Sequence, residues 1–380
     1  MTVRMRARAA ATTCAPSGTP SLSRPPERQG WDEQTTMQAT NRTMRRAIAN
    51  AAGVRTVTSP NPWVGAVIKS PSGEMFDGAT CPPGGPHAEI VALTRAGERA
   101  VGATLTVTLE PCAHAGRTPP CTAAIIAAGI RRVVVGVVDP DPHVAGRGVV
   151  ALRAAGVDVV VGVCAAEVSA QLEAYLVHRR TGRPFVILKL AATVDGRIAA
   201  ADGTSRWITG PQARADVHRL RAESDAVLVG AGTVRIDDPA LTVRDLDDVG
   251  ADGRGPLRVV LGQAPTNARV RPCLELSGDL GGVLDELGRR GIVQVLVEGG
   301  ATVARQFHQA CLVDRYVIYL APTFAGGDDN APMFNGPGAT TIDAMWRGTF
   351  RSVVQLGGDI RLEIDRNAPT VGDHGEHRRT

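Results

Sequence analysis

The chain has 380 residues, 43% hydrophobic and 21% charged, with a formal charge of +4 at pH 7. That length gives room for two domains of ordinary size, each able to bury a core, and no apolar run approaches the ~20 residues that cross a bilayer. Residues 1–36 hold five Arg against three acids and residues 366–380 three against two, so the tails carry three of the four net charges; the near-neutral body, without a Lys/Arg run, argues against a phosphate-backbone partner.

Residues 1–36 are rich in Arg, Ala, Ser and Pro with no continuous apolar centre, which argues against a secretory signal. They are expected to be a disordered extension, or sequence upstream of the true start with Met37 as first residue. Short apolar strands then alternate with helical stretches, as a βαβ architecture requires. Strands are expected at Trp63–Lys69, Thr104–Leu109, Arg132–Val138 and Val157–Val161, and helices at Asn41–Ala52, His87–Arg99, Cys121–Gly129 and Arg147–Ala155. Ala165–Arg180 reads as a linking helix, and Thr181-Gly182-Arg183-Pro184 punctuates it. This predicts a first domain over 37–180, a second over 184–365 and a disordered tail at 366–380.

The second half opens with a strand, Phe185–Ala191, leading to Thr193-Val194-Asp195-Gly196-Arg197. Asp225 to Arg235 has the outline of a dinucleotide-binding strand and glycine turn. However, Arg235 stands where the third glycine belongs, and Asp245, Asp247 and Asp248 fall in a loop rather than at a second strand end. A Rossmann domain is therefore not expected. Leu296 to Thr302 is a strand, a glycine pair and a helix start, suited to receiving a phosphate on free backbone N–H groups. The stretch from Gly262 to Gly291 is short and weakly patterned, and the fold is least defined there.

The chemistry concentrates between His87 and Cys121. His87, Cys112 and Cys121 are the ligand types of a zinc site that keeps one position for water, and the metal lowers that water's pKa to about 7. Glu89, two residues from the histidine, is left free to move protons, as in hydrolytic deaminases. Eight residues separate the cysteines where the nucleobase-deaminase signature has two, so an inserted loop must still bring Cys121 to the metal. Pro119-Pro120-Cys121 reads as a helix start, which stabilises a thiolate. A core histidine, an incidental glutamate and buried thiols would explain an isolated His-x-Glu, but not the whole ordered set. Seven cysteines make no even disulfide ladder, and a reducing cytoplasm suits them. Only two lysines, Lys69 and Lys189, occur. Lys69 borders a turn and reads as a surface charge, whereas Lys189 lies at a candidate site and is read as catalytic.

The segment Leu109-Glu110-Pro111-Cys112-Ala113-His114-Ala115-Gly116-Arg117-Thr118-Pro119-Pro120-Cys121 resembles the zinc segment of the bifunctional riboflavin-biosynthesis deaminase/reductase family. So do Pro60-Asn61-Pro62-Trp63-Val64-Gly65, Pro86-His87-Ala88-Glu89 and the stretch from Asp139 to Gly148. The resemblance runs from about Asn41 to about Asp365. It implies zinc on His87, Cys112 and Cys121, proton transfer by Glu89, and substrate contacts at Asn61, His114 and Arg117. One departure is Thr80, where the family often has a histidine, so a substrate contact is expected to be lost or replaced. Ser205 to Thr209, Arg219 to Ala222, Gly232 to Arg244 and Val297 to Gly300 resemble the reductase half. That likeness implies NADPH contacts at Ala191, Trp207, Thr233, Asp237, Gly299 and Gly300, and substrate contacts at Ser205, Arg221, Leu241, Arg244 and Glu298. Arg221 and Arg244 suit a sugar phosphate through paired N–H bonds, and Glu298 suits ribose hydroxyls.

The implied fold class is α/β, a cytidine-deaminase-like α/β/α domain followed by a dihydrofolate-reductase-like α/β domain. The implied function is zinc-dependent deamination of 2,5-diamino-6-ribosylamino-4(3H)-pyrimidinone 5′-phosphate. NADPH-dependent reduction of its ribosyl group then gives 5-amino-6-(5-phospho-ribitylamino)uracil. A small-molecule substrate, no nucleic acid, no membrane, a homo-oligomer and a cytoplasmic location complete the expectation. The alternatives are an RNA- or DNA-editing deaminase with a C-terminal binding module, which predicts salt-sensitive retention on nucleic acid, and a non-catalytic protein with structural zinc.

Overall fold

The structure, a computed structural model, describes residues 33–113, 119–142, 144–244 and 255–366. The expected extension and tail fall almost wholly outside these residues. The first described element is helix α1 (Glu33–Ala52), eight residues longer at its start than expected, followed by β1 (Gly65–Lys69) and β2 (Met75–Ala79). Then come α2 (Ala88–Ala96), β3 (Thr104–Leu109), α3 (Cys121–Ala127), β4 (Arg132–Val137), α4 (Arg147–Ala154) and β5 (Asp158–Val161). The five strands lie in the order β2-β1-β3-β4-β5. β1 runs antiparallel to both neighbours, while β3, β4 and β5 are parallel. Val133, Val134 and Val135 of β4 are all buried, as a parallel strand covered on both faces requires.

The sequence hides β2, because Met-Phe-Asp-Gly-Ala has neither alternation nor a β-branched run. Pairing to β1 decides its conformation instead. The strand expected from Trp63 starts at Gly65, since the Thr80 hydroxyl accepts a bond from Val64 N–H (3.1 Å) and Val64 O accepts one from Thr80 N–H (3.0 Å). The helix expected over His87–Arg99 stops at Ala96, where Gly97 turns to φ 55° and a single 3₁₀ turn follows. The linking helix is two helices, α5 (Ala165–Gln171) and α6 (Glu173–Thr181), broken at the fully buried Leu172.

The second sheet starts with β6 (Phe185–Thr193) and β7 (Arg197–Ala199), then α7 (Pro211–Ala222), β8 (Ala226–Gly230), α8 (Ala231–Asp237) and β9 (Leu257–Leu261). The weakly patterned stretch supplies β10 (Leu274–Leu276) and α9 (Leu280–Arg289). The chain continues through β11 (Gln294–Val297), α10 (Ala301–Gln309), β12 (Arg315–Ala321), β13 (Ala331–Pro332), β14 (Gly348–Leu356) and β15 (Asp359–Arg366). Eight strands take the order β10-β9-β8-β11-β6-β12-β15-β14, parallel from β10 to β12 and antiparallel at β15 and β14.

Gly65 shows how closely these layers pack. A Cβ there would sit 1.8 Å from the carbonyl oxygen of Ala47, so α1 lies with its backbone directly on β1. Gly65→Ala is expected to cost about 1–3 kcal/mol or more, seen as a lower thermal unfolding midpoint. Gly232→Ala is expected to be neutral or stabilising, because nothing lies within 4 Å of a Cβ built on that helical glycine.

Candidate active sites

Three chain segments bring the metal-ligand types together. His87 is the N-cap of α2, Cys121 is the first residue of α3, and Cys112 follows the end of β3. Cys121 N–H donates to the Cys112 sulfur (3.4 Å) and Thr122 N–H to the Cys112 carbonyl (3.2 Å), so α3 itself seats the thiol loop. The Nδ1 of His87 lies 3.8 Å from Cys112 Sγ and 3.3 Å from Cys121 Sγ. Tetrahedral zinc, with bonds of about 2.3 Å to sulfur and about 2.0 Å to nitrogen, separates such atoms by about 3.5 Å. One imidazole and two thiols at this spacing therefore fit zinc, and this is the one His/Cys/Asp/Glu group of metal-binding geometry among the described residues.

Within the cluster the two thiols are driven apart in pKa. A hydrogen bond from Cys121, together with one from His87, brings the Cys112 thiol down to about 4, while the same pairing pushes Cys121 up. Glu89, in the first turn of α2, is 4% exposed, and burial pushes its carboxyl up to about 7. A carboxyl poised near neutrality suits both taking and returning a proton.

Several supporting residues escaped sequence reasoning. The buried Glu110 carboxylate accepts backbone N–H bonds from Asp139 (3.2 Å), Gly146 (2.9 Å) and Val149 (3.1 Å), tying the loop after β4 to the cysteine segment. Asp139 in turn accepts from the Tyr175 hydroxyl (3.0 Å). The only sequence signal was that Glu110 and Asp139 lie within segments already singled out. Asn61 is half-buried in a turn closed by its N–H on Thr58 O (2.9 Å). His114 and Arg117 lie outside the described residues.

A cavity of about 720 Å³ opens on the second sheet. It is lined by Lys189, Ala191, Ser205, Trp207, Arg221, Thr233, Asp237, Leu241, Arg244, Glu298, Gly299 and Gly300, so residues from Lys189 to Gly300 converge on one space. Arg221 and Glu298, both expected as substrate contacts, are brought side by side. They bind each other, with Arg221 Nε and Nη2 donating to the two carboxylate oxygens at 2.6 and 2.9 Å. With side chains only 14% and 9% exposed, two opposite charges facing one cavity are held by pairing. Burial works to raise the Glu298 pKa, but the Arg221 charge and hydrogen bonds outweigh it and hold the carboxyl below its usual range. Lys189 Nζ lies 4.0 Å from Glu298, and burial pulls its pKa down.

His218 also lines this cavity; sequence reasoning passed over it, though it stands three residues before Arg221 on α7. The Ser205 hydroxyl donates to Asp237 (3.3 Å), and the Thr233 hydroxyl accepts from Gly300 N–H (3.3 Å) at the start of α10. Trp207 is 72% exposed, with the Arg214 guanidinium 4.6 Å from its ring centre. A helix N-terminus, hydroxyls, an exposed aromatic face and a volume of this size fit a dinucleotide cofactor.

Comparison with known proteins separates the same two regions. A family model described as the cytidine and deoxycytidylate deaminase zinc-binding region matches residues 37–137, and one described as the RibD C-terminal domain matches residues 184–362. The chain is 44% identical over 330 residues to riboflavin biosynthesis protein RibD of Mycobacterium tuberculosis, covering 84% of this chain and 96% of that protein. Against RibD of Escherichia coli it is 39% identical over 359 residues, covering 84% and 98%. Among solved structures, Acinetobacter baumannii RibD matches with a TM-score of 0.82 at 38% identity, over 87% of this chain and 100% of that one. A Thermotoga maritima diaminohydroxyphosphoribosylaminopyrimidine deaminase/5-amino-6-(5-phosphoribosylamino)uracil reductase matches with a TM-score of 0.79 at 33% identity, over 87% and 100%.

Proposed function

The chain belongs to the RibD family, and from that membership we propose which of its residues carry each reaction. It is a bifunctional enzyme of riboflavin biosynthesis that deaminates the diaminopyrimidinone ribosylamine phosphate and reduces the ribosyl group to ribityl, using zinc and NADPH. Its fold is a cytidine-deaminase-like region followed by the RibD reductase region. The nucleic-acid-editing alternative is not favoured. We place the boundary between the two domains at Thr181 to Pro184, with the deaminase over 37–180 and the reductase over 184–365.

The observation that carries the first assignment is the buried Glu89 beside the His87, Cys112 and Cys121 cluster. His87, Cys112 and Cys121 would hold zinc, which would supply a Lewis acid that lowers the pKa of water to about 7. Glu89 takes a proton from the attacking water and returns it to the amino nitrogen, which leaves as ammonia. Asn61, His114 and Arg117 hold the pyrimidine ribotide. Stripping zinc with a chelator is expected to end ammonia release while reduction of the deaminated ribosylamino compound stays within about twofold. Equal deamination with and without metal, by metal analysis of the same sample, would contradict the assignment.

NADPH bound in the second domain would supply hydride to the sugar carbon C1′. Lys189 gives a proton to the ribose ring oxygen, so that the C1′–O4′ bond opens and leaves a ribityl chain. Glu298, kept ionised by Arg221, meets the ribose hydroxyls and steadies the Lys189 ammonium. Because Arg221 is committed to Glu298 and to the Thr242 carbonyl (3.1 Å), the exposed Arg244 is left to meet the phosphate. Ser205 and Leu241 complete the substrate wall. Ala191, Trp207, Thr233, Asp237, Gly299 and Gly300 seat the cofactor.

No helix of the described residues is long and apolar enough to cross a membrane. We assign the enzyme to the cytoplasm, where a reducing environment keeps the thiols of Cys112 and Cys121 out of disulfides and able to hold zinc, and take it to be a homo-oligomer. Among the described residues the outer edge of β14 has no partner strand in the sheet, and Phe350 and Val353 on that strand are 62% and 61% exposed, which suits a second copy.

A further inference from the structure

His218 lines the reductase cavity and has no part in the reaction as assigned so far. It stands on α7 three residues before Arg221, so both side chains leave the same face of that helix. Both also end on one atom: His218 Nδ1 lies 3.1 Å from the Thr242 carbonyl oxygen, and Arg221 Nη1 donates to the same oxygen at 3.1 Å. A carbonyl oxygen can only accept, so in the neutral ring Nδ1 carries the hydrogen and Nε2 is the free nitrogen. Nε2 has no hydrogen-bond partner among the described residues and is not one of their sealed polar atoms, so a ligand in the cavity reaches it.

The charges around the ring select that ligand. On α7 itself, Arg214 is engaged with the Trp207 ring and the Thr209 carbonyl (2.7 Å). Glu298 is shared by Arg221 and Lys189. Arg244, two residues beyond the carbonyl that His218 holds, is exposed, lines the same cavity and has no ion-pair partner among the described residues. Burial, then the Arg221 and Arg244 charges, lower the His218 pKa against the pull of the Thr242 bond and Glu298, so the ring is neutral near pH 7 while the site is empty.

We propose that His218 is a further phosphate-binding residue of the reductase site, its Nε2 donating to the substrate's phosphate beside Arg244 while Nδ1 stays on Thr242. This rests on the reading in which Arg244 meets that phosphate. A doubly charged phosphate there offsets the Arg244 charge and gives Nε2 an acceptor, so a proton from solvent joins Nε2 as substrate binds. Affinity is then greatest where the ring is readily protonated, and falls as pH rises through the imidazole range.

The test titrates the full zinc-loaded chain, with NADP⁺ present, with the deaminated ribosylamino phosphate in two buffers of different ionisation enthalpy, and measures the reductase KM across pH. Net proton uptake is expected in the parent and none in His218→Asn, whose amide can keep the Thr242 bond but stops short of the phosphate. KM in His218→Asn should rise by about tenfold or more near neutral pH, with kcat within about threefold. The ratio of variant to parent KM, in which the phosphate's own titration cancels, should approach one as pH rises. His218→Gln, whose amide reaches where Nε2 stood, should recover part of the affinity without proton uptake, and it decides alone should His218→Asn fail to fold. With substrate lacking the phosphate, parent and variant should share one KM. Proton uptake or a KM unchanged in the variants, or an equal rise with the phosphate-free substrate, would overturn the proposal alone. A parent that binds both substrates equally would overturn the Arg244 assignment with it.

Discussion

Replacing Glu89 with Gln is expected to lower the rate of ammonia release by about 10²–10⁴-fold while zinc content stays that of the parent. Glutamine keeps the volume of a side chain that is 4% exposed, so the packing at the start of α2 survives. It also keeps all three members of the His87, Cys112 and Cys121 cluster, which Glu89 meets through a bond with Cys121 without being one of them. What disappears is the group that carries the proton from water to the departing nitrogen. Metal analysis and ammonia assay on one sample separate the two effects. A variant that loses zinc together with activity would show Glu89 supporting the site, and a variant of unchanged activity would make the zinc structural.

Lys189→Met is expected to lower NADPH-dependent reduction by about 10²–10⁴-fold and to leave deamination as it was. The fold should tolerate the change, since the two hydrogen bonds from Arg221 remain to keep Glu298 paired. Burial lowers the Lys189 pKa, with Glu298 opposing that shift. A proton donor acts in its protonated form, so the parent reductase rate should fall as pH rises through that lowered pKa, earlier than an ordinary lysine would allow. Lys189→Arg should not restore the rate, because a guanidinium does not release its proton in this range. Full reduction by the Arg variant would reduce Lys189 to a charge that positions Glu298.

Legibility in the sequence followed the range of the forces involved. The zinc cluster was readable because zinc demands particular atoms, so an imidazole, two thiols and a spare carboxylate in order narrow the chemistry despite the inserted loop. Strands such as Arg132–Val137 were readable because a doubly covered parallel strand must be an apolar run. β2 was not, since pairing to β1 rather than local propensity makes it a strand. The break at Leu172 depends on where one side chain buries, and the expected single helix missed it. The Arg221–Glu298 pair joins residues 77 positions apart, and only the fold shows that each is the other's partner. Thr80 stands where the family often has a histidine, and its hydroxyl and N–H both bond the Val64 backbone beside the Asn61 turn, a use only the fold shows.

The most direct test of the two-reaction account is a mass spectrum of the product formed when zinc-loaded protein is incubated with the diaminopyrimidinone ribotide and NADPH. The account predicts a product both deaminated and reduced, with the amino group exchanged for oxygen and two hydrogens added to the sugar. A deaminated but unreduced product would contradict the roles given to residues from Lys189 to Gly300. Unchanged substrate from folded, metal-loaded protein would contradict the account as a whole.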